Sequence, residues 1–357
     1  MASVQQEQPC RRITHVMLSK GFGGAERYFV DLCRGQAALG HSIQAICHPA
    51  FVARGLLQGQ PGIELASVKA HGRWDLLARR RLRRLLAEHR PEVVHTHLAR
   101  ATALAGAEAA ALGIAVVAKL HNYVNLDYYR HVTRFITTTE AQRRYLHDHG
   151  IDADRIEVIP NFSSLAWVDC TERSDDSRPF TWVACGRLVH KKGFDLLLEA
   201  LASEPAFADD RLILGGDGAE RDTLQRLAKQ LGIEHQVDFA GWIDEVAPLL
   251  DGGDLFVLPS RDEPFGIAVL EAMARCLPIL ASRSDGPLEI LDESCGWLFD
   301  CDDAQALAAA MRSARAAPEE RRRRSASAVQ RYRQRYHSSA VLPAISACYR
   351  TAQQAQC

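Results

Sequence analysis

Leu255-Phe256-Val257-Leu258-Pro259-Ser260-Arg261-Asp262-Glu263-Pro264-Phe265-Gly266-Ile267-Ala268-Val269-Leu270-Glu271-Ala272 reads as a strand, a polar loop and a helix in one run. The apolar stretch ends at Pro259, and the helical pattern begins near Phe265 or Gly266. Unpaired backbone amides at such a start, with about half a positive charge from aligned peptide dipoles, form an anion site. A glycine there lets a phosphate approach the backbone closely. Glu263 falls in the loop and Glu271 about a turn into the helix. Seven residues separate the two carboxylates, so they are not a helical ion-pair set. They suit hydroxyls at two places along one extended ligand. Taken singly, each is an incidental glutamate on a capped surface helix; the whole run is what points to a ligand.

The same strand-then-helix rhythm extends in both directions. In the first half, short apolar runs at 13–19, 42–47, 63–68, 93–95, 115–120, 135–138 and 156–159 alternate with helical patterns, among them 25–39, 75–89 and 139–149. Residues 163–179 are polar and acidic, without a usable period, and read as a linker. The rhythm then restarts, with strands expected at 180–186, 211–214, 237–239, 254–258, 278–281 and 296–299 and helices at 194–204, 219–231 and 266–275. Alternation of this kind predicts an α/β fold with parallel sheets built from βαβ units. Two Rossmann-like domains are expected, residues 1–165 and 180–337, joined by 166–179. In open α/β folds ligands sit beyond the carboxyl ends of the strands, so a cleft between two such sheets is the expected site.

Composition agrees with two ordinary globular domains: 357 residues, 47% hydrophobic and 24% charged. A net charge of −1 gives no global attraction to nucleic acid. The ten cysteines show no CxxC pair or metal-like spacing. Cys33, Cys47, Cys185 and Cys276, in apolar surroundings, read as buried thiols of a reduced compartment. The first twelve residues lack the apolar core of a secretory signal, and no run approaches the roughly 18 apolar residues of a membrane span. The expected location is the cytoplasm, with any membrane contact peripheral.

A second charged element is Gly186-Arg187-Leu188-Val189-His190-Lys191-Lys192-Gly193, which closes one strand and opens a helix. Alone it is equally a surface turn carrying three cations. Leu214-Gly215-Gly216-Asp217-Gly218 and Gly241-Trp242-Ile243 end later strands; Trp242 by itself reads as a core residue. Gly21-Phe22-Gly23-Gly24-Ala25-Glu26-Arg27 joins the first strand to the first helix without G-x-G-x-x-G spacing.

Together these elements resemble the retaining GT-B glycosyltransferases, especially glycosyltransferase family 4. The run from Glu263 to Glu271 looks like the E-x7-E signature. The resemblance implies two Rossmann-like domains facing each other, with C-terminal helices at about 338–357 crossing back to the first. It implies that Glu263 faces the hydroxyls of the transferred sugar and Glu271 the ribose hydroxyls. The amides of Phe265 and Gly266, with Ile267 beside them, would contact the diphosphate. The 186–193 element resembles the G-R-L…K-G motif, with Gly186 at its turn and Arg187 and Lys192 as the diphosphate cations. Charge-assisted bonds suit both side chains, and arginine binds as a fork. His190 and Lys191 would face solvent. Gly216 lines the nucleotide side, and Trp242 and Ile243 lie near the base. The G-G-x-E-R loop places Gly23 and Gly24 at the transferred sugar. Glu26 would be on the acceptor side, although Glu26 and Arg27 also suit a local helix-start pairing. Ser284-Asp285-Gly286-Pro287-Leu288-Glu289 resembles the G-x-P-E turn, its usual first glycine replaced.

Val94-His95-Thr96-His97 and Lys119-Leu120-His121-Asn122 each end a strand. His97 is placed on the acceptor side and His121 among the catalytic residues, with Glu263, Arg187 and Lys192. Satisfied structural histidines are the alternative, and the spacing shows no metal-ligand pattern. Arg79, Arg80, Arg81, Arg83 and Arg84 interleave with Leu76, Leu77, Leu82, Leu85 and Leu86 over 75–89. That helix is amphipathic with a solvated basic face, or it adheres to an anionic membrane carrying a lipid-linked acceptor. The arginine run 321–324 is expected to lead into the C-terminal helices.

The implied reaction moves a hexose-type sugar from a UDP- or GDP-sugar to a glycan or lipid-linked acceptor, with retention and without metal or other cofactor. The likeness extends to bacterial lipopolysaccharide or other envelope polysaccharide synthesis. A sugar-nucleotide epimerase or phosphorylase of the same fold, and a non-catalytic sugar-binding protein, are the other readings.

Overall fold

The computed structural model describes residues 11–21, 23–170 and 178–356. The first ten residues, Phe22, the 171–177 part of the expected linker and Cys357 lie outside the described residues. Contacts divide the chain into one unit of residues 1–161 with 341–357, and a second of residues 162–340.

In the first unit the order is β1 (Arg12–Met17), α1 (Gly24–Ala38), β2 (Ser42–Cys47), β3 (Ile63–Ser67), α2 (Leu76–His89) and β4 (Val93–His97). It continues through α3 (Leu98–Ala111), β5 (Ala115–Lys119), β6 (Arg134–Thr137), α4 (Glu140–Asp148) and β7 (Ile156–Val158). All seven strands are parallel, in the order β3-β2-β1-β4-β5-β6-β7. β1, β4 and β5 are buried over nearly their whole length, as expected when helices cover both faces of a sheet. One apolar core lies against α2 and α3, with Leu82, Leu86, Leu104, Val94 and Val116 at its centre.

The second unit runs β8 (Thr181–Cys185), α5 (Phe194–Ser203), β9 (Arg211–Gly215), α6 (Arg221–Gln230), β10 (Val237–Gly241) and α7 (Val246–Asp251). Then come β11 (Leu255–Leu258), α8 (Ile267–Ala274), β12 (Ile279–Ser282), α9 (Asp285–Ile290), β13 (Trp297–Phe299), α10 (Ala304–Arg315) and α11 (Pro318–Arg331). Its six parallel strands are ordered β10-β9-β8-β11-β12-β13. Apolar clusters cover both faces, one under α5 and α10, the other under α8. A last helix, α12 (Ser338–Gln354), delivers residues from Val341 onward to the first unit. There Leu342 packs beside Gly35 of α1, and Gln353 accepts from Arg11 at 2.6 Å.

In each sheet the strand order reverses once, at β1/β4 and at β8/β11. The loops leaving those strands are therefore spread apart at their carboxyl ends, which is where such sheets hold ligands. Four of the motif-bearing strands, β1, β4, β8 and β11, flank these two reversals.

Three expectations change. The segment 163–170 has no helix or strand, yet its backbone is occupied. Tyr332 Oη donates to the carbonyls of Ser163 and Leu165, and Val168 N donates to Ala274 O. Absence of a period therefore marked an extended strap on the second unit. Cys276, read as a buried thiol, is bonded to Cys170 of that strap, whereas Cys33, Cys47 and Cys185 remain thiols. Finally, α2 begins with Asp75 capping Ala78 N at 3.0 Å and buries Leu82, Leu85 and Leu86. Leu76 and Leu77, counted with its apolar face, are instead 70% and 77% exposed.

Candidate functional site

At the β8/β11 reversal three loops interlock. Gly193 adopts φ +65°, and a Cβ there would fall on the carbonyl oxygen of Pro259, so only glycine lets the two loops touch. Arg261 fastens the pair. Its guanidinium forks Asp195 at 2.7 Å and 2.7 Å, reaches Asp302 at 2.5 Å and donates to His190 O. These partners push its pKa up and hold Asp195 below the usual carboxylate range against the opposing effect of burial. The backbone amide of Arg261 also donates to Lys191 O at 2.9 Å. The third loop enters through Gly286, whose amide donates to Glu263 O at 2.9 Å and whose Cα lies too close to Phe265 for any side chain.

This framework joins Lys192 to Glu263 in a close ion pair, with Ser260 Oγ beside the same carboxylate oxygen at 3.4 Å. Ser282 Oγ in turn donates to Ser260 O at 2.6 Å. Glu263 and Glu271 are both buried, at 8% and 5% exposure. Gly266, at φ +98°, is the N-cap of α8 and no side chain caps it. Phe265 is buried, its ring edge-on to Tyr336. Arg187 is exposed, with no ion pair among the described residues. His190 is exposed; Lys191 is half-exposed and pairs with Asp262 at 3.5 Å. Gly216 sits at φ +128° against Gly186. Trp242 is not in the core: it is 52% exposed, with Nε1 donating to Asp244 Oδ1 at 2.9 Å. Ile243 beside it is partly buried.

The β1/β4 reversal holds a different chemistry. His15 on β1, His95 and His97 on β4, and His121 just after β5 form one group of rings. His95 and His97 stack at 4.5 Å, and His97 and His121 at 5.7 Å. Burial lowers the pKa of His15 to about 4 and of His121 to about 3, and takes His95 and His97 well below 6.5. Ring nitrogens of His15, His95 and His97 lie within 4.8 Å of one another, a grouping of metal-ligand type that the sequence spacing did not reveal. His15 Nδ1 and His97 Nε2 are already hydrogen-bond partners at 3.3 Å. Lys119, fully buried so that its pKa falls well below the ordinary lysine value, donates from Nζ to Ile159 O at 2.5 Å and lies over the ring of Tyr28. Glu26 uses a carboxylate oxygen to cap Gly23 N at 3.0 Å, and Arg27 pairs with Asp31 at 4.0 Å. Gly24 opens α1, and the space a Cβ would take there is open among the described residues.

Residues 22–166 match the family described as Glycosyltransferase Family 4, and residues 172–331 match Glycosyl transferases group 1. LpsE of Rhizobium meliloti strain 1021, a lipopolysaccharide core biosynthesis glycosyltransferase, is 32% identical over 305 residues, covering 84% of this chain and 87% of that protein. The chain belongs to glycosyltransferase family 4. LpsD of the same organism, with the same description, is 32% identical over 90% of this chain and 93% of its own length. The crystal structure of Anabaena Alr3699/HepE in complex with UDP-glucose superposes with a TM-score of 0.82 at 20% identity, over 96% of this chain and all of that one.

Within this glycosyltransferase, the second unit gathers Arg187, Lys192, Glu263 and the start of α8 on neighbouring loops, as the motif order implied. Sequence reading missed Arg261, which ties those loops together; its place inside the motif was the available signal. It also missed His15, Gln36 and Tyr349, which have no motif at all. The arginine run 321–324 is consumed locally. Arg321 donates to Ala314 O, Arg322 pairs with Glu319, Arg323 and Arg324 with Glu320, and Arg324 also covers Trp297.

Proposed function

We propose that this glycosyltransferase moves a hexose from a UDP- or GDP-linked donor to a lipopolysaccharide-core or other envelope glycan acceptor, retaining anomeric configuration and needing no metal. The carrying observation is the Lys192–Glu263 pair beside the uncapped N-terminus of α8, with exposed Arg187 on the adjoining loop. Departure of a nucleoside diphosphate from the anomeric carbon builds negative charge on the leaving oxygens. Cations and amides fixed in advance at that point lower the barrier. A bound diphosphate takes Lys192 as its partner, which frees Glu263 for the sugar hydroxyls. Glu271 takes the ribose, Gly216 and Ile243 border the nucleotide, and Trp242 offers an exposed ring face to the base. Gly23, Gly24 and His121 serve the transferred sugar and Glu26 the acceptor side, while His97, expected beside the acceptor, is fully buried with both ring nitrogens engaged and acts behind His121. The acceptor attacks from the face the diphosphate leaves, and a phosphate oxygen takes its proton, so no protein nucleophile is required.

The bound UDP-glucose of the Anabaena protein supports a nucleotide-sugar donor, and the two Rhizobium proteins support the acceptor class. Peripheral contact with the cytoplasmic face of an anionic inner membrane is supported by the start of α2. Trp74, Leu76 and Leu77 are exposed there, with Arg80, Arg81, Arg83 and Arg84 along the same helix. Arg79 is held by Glu108 at 2.6 Å and takes no part.

A thermal-shift panel of UDP, GDP and their hexose conjugates tests the donor, because a specific ligand at 100 times its Kd stabilises by about 2.7 kcal/mol. One nucleotide class should raise the midpoint and the other should not; a flat panel refutes the reading. Transfer should persist in excess chelator, and activity regained only with added metal refutes the metal-free step. Conversion of the sugar nucleotide without any acceptor would instead make the protein an epimerase.

A further inference from the structure

The histidines of the first unit form a continuous hydrogen-bonded chain with defined ends. His121 Nε2 faces His97 Nδ1 at 3.4 Å, and His97 Nε2 faces His15 Nδ1 at 3.3 Å. His15 Nε2 faces Gln36 Oε1 of α1 at 2.7 Å. Gln36 Nε2 donates to Tyr349 Oη of α12 at 3.2 Å, and the same hydroxyl faces His95 Nδ1 at 2.6 Å. The chain thus spans α1, three strand ends and the C-terminal helix.

Its polarity follows from the tyrosine. The amide nitrogen of Gln36, which can only donate, faces Tyr349 Oη, so the single hydroxyl hydrogen of Tyr349 goes to His95 Nδ1. The same amide orientation turns Oε1 toward His15. An amide oxygen only accepts, so His15 carries its hydrogen on Nε2. Deep burial keeps each ring neutral, with one hydrogen apiece. His15 Nδ1 must therefore accept from His97 Nε2–H, and His97 Nδ1 from His121 Nε2–H. The last ring has no choice left.

We propose that Gln36, held by Tyr349, sets the tautomer of His121 through His15 and His97, so that His121 presents a bare Nδ1 to a hydroxyl hydrogen. Gln36, Tyr349, His15 and His97 are positioning residues, none of which needs to touch substrate. A neutral nitrogen lone pair accepts from a hydroxyl and repels phosphate or carboxylate oxygens, so this end of the first unit recognises a sugar hydroxyl rather than an anion. That last consequence rests on the glycosyl-transfer reading; the tautomer does not. His95 Nε2 is the loose end of the chain, buried without a hydrogen-bond partner among the described residues.

Long-range proton–nitrogen correlation on the full chain labelled with 15N-histidine reads the tautomer directly, with the His121 signals assigned from a His121→Gln sample. His121 should appear as the Nε2–H form alone, with Nδ1 unprotonated. An Nδ1–H ring, or a mixture in the wild-type protein, overturns the relay. Gln36→Leu and, separately, Tyr349→Phe, which keeps the packed ring, should convert His121 to a mixture of both forms. Retention of the single form in both variants overturns the role of Gln36 and Tyr349. If the tautomer is as stated but no sugar nucleotide is consumed, the functional reading fails and the relay stands. Transfer with a reversed tautomer leaves the function and removes the relay.

Discussion

The two strand reversals solve opposite electrostatic problems with the same architecture. In the second unit, the loops after β8 and β11 carry formal charges that meet at the surface of a framework tied by Arg261 and Gly193. In the first unit, the ends of β1, β4 and β5 carry histidines that burial keeps uncharged and that hydrogen bonds hold in line. The lesson is that a parallel sheet's carboxyl end is only a place. Fixed cations suit an anion such as a diphosphate, whereas a neutral ring with a defined donor and acceptor suits a hydroxyl and not an anion.

The largest effect that distinguishes the two is acid. His15 and His121 titrate near 4 and 3 in the folded protein against 6.5 unfolded, and His95 and His97 are lowered as well. Between those values the unfolded chain binds protons that the native first unit refuses, so stability falls as pH falls through 6.5. At pH 5 each histidine kept neutral costs about 2 kcal/mol relative to neutral pH. Urea midpoints at pH 7 and pH 5 should differ strongly for the first unit and little for the second. Equal midpoints would show that the rings are not held neutral.

Next in size is the donor chemistry. Lys192→Ala and Glu271→Ala should each reduce kcat/KM by on the order of 3 kcal/mol or less, roughly a hundredfold. Full transfer by both variants would remove the second unit from donor binding. Below this lies Gly193→Ala, which combines a left-handed backbone with a methyl on Pro259 O. It should lower the stability of the second unit by about 2 kcal/mol, read as a fall in melting midpoint. A neutral result would mean the two loops are free to separate.

The contrast also explains what sequence could and could not disclose. The charged loops are short, contiguous motifs, so Glu263, Glu271, Arg187 and Lys192 stand out along the chain, and the structure pairs Lys192 with Glu263. Strand and helix positions followed from alternation to within a few residues. Tyr349, 254 positions beyond its partner His95, has no local signature. Its role exists only because α12 returns to the first unit and β1 lies next to β4. Only the core reading of Trp242 taken alone fails, since β10 is an edge strand and a tryptophan after it has no second sheet neighbour to cover it.

The smallest expected effect concerns a charged surface in the otherwise neutral-histidine unit. On α2 the solvated-face reading and the membrane reading differ in one respect: only the second gives Leu76 and Leu77 something to do. Both are exposed, so replacing them with serine should leave the melting midpoint unchanged, unlike Leu82 or Leu86 in the core beneath. Binding to vesicles containing anionic lipid should nevertheless fall, and Arg83→Ser should remove about 1 kcal/mol more in a salt-dependent way. Vesicles of neutral lipid should bind neither form. Were the serine variant to bind anionic vesicles as well as the parent, the arginines alone would account for the attraction. The exposed leucines would then be ordinary surface residues, and the row of uncharged rings would remain as the distinctive chemistry of the first unit.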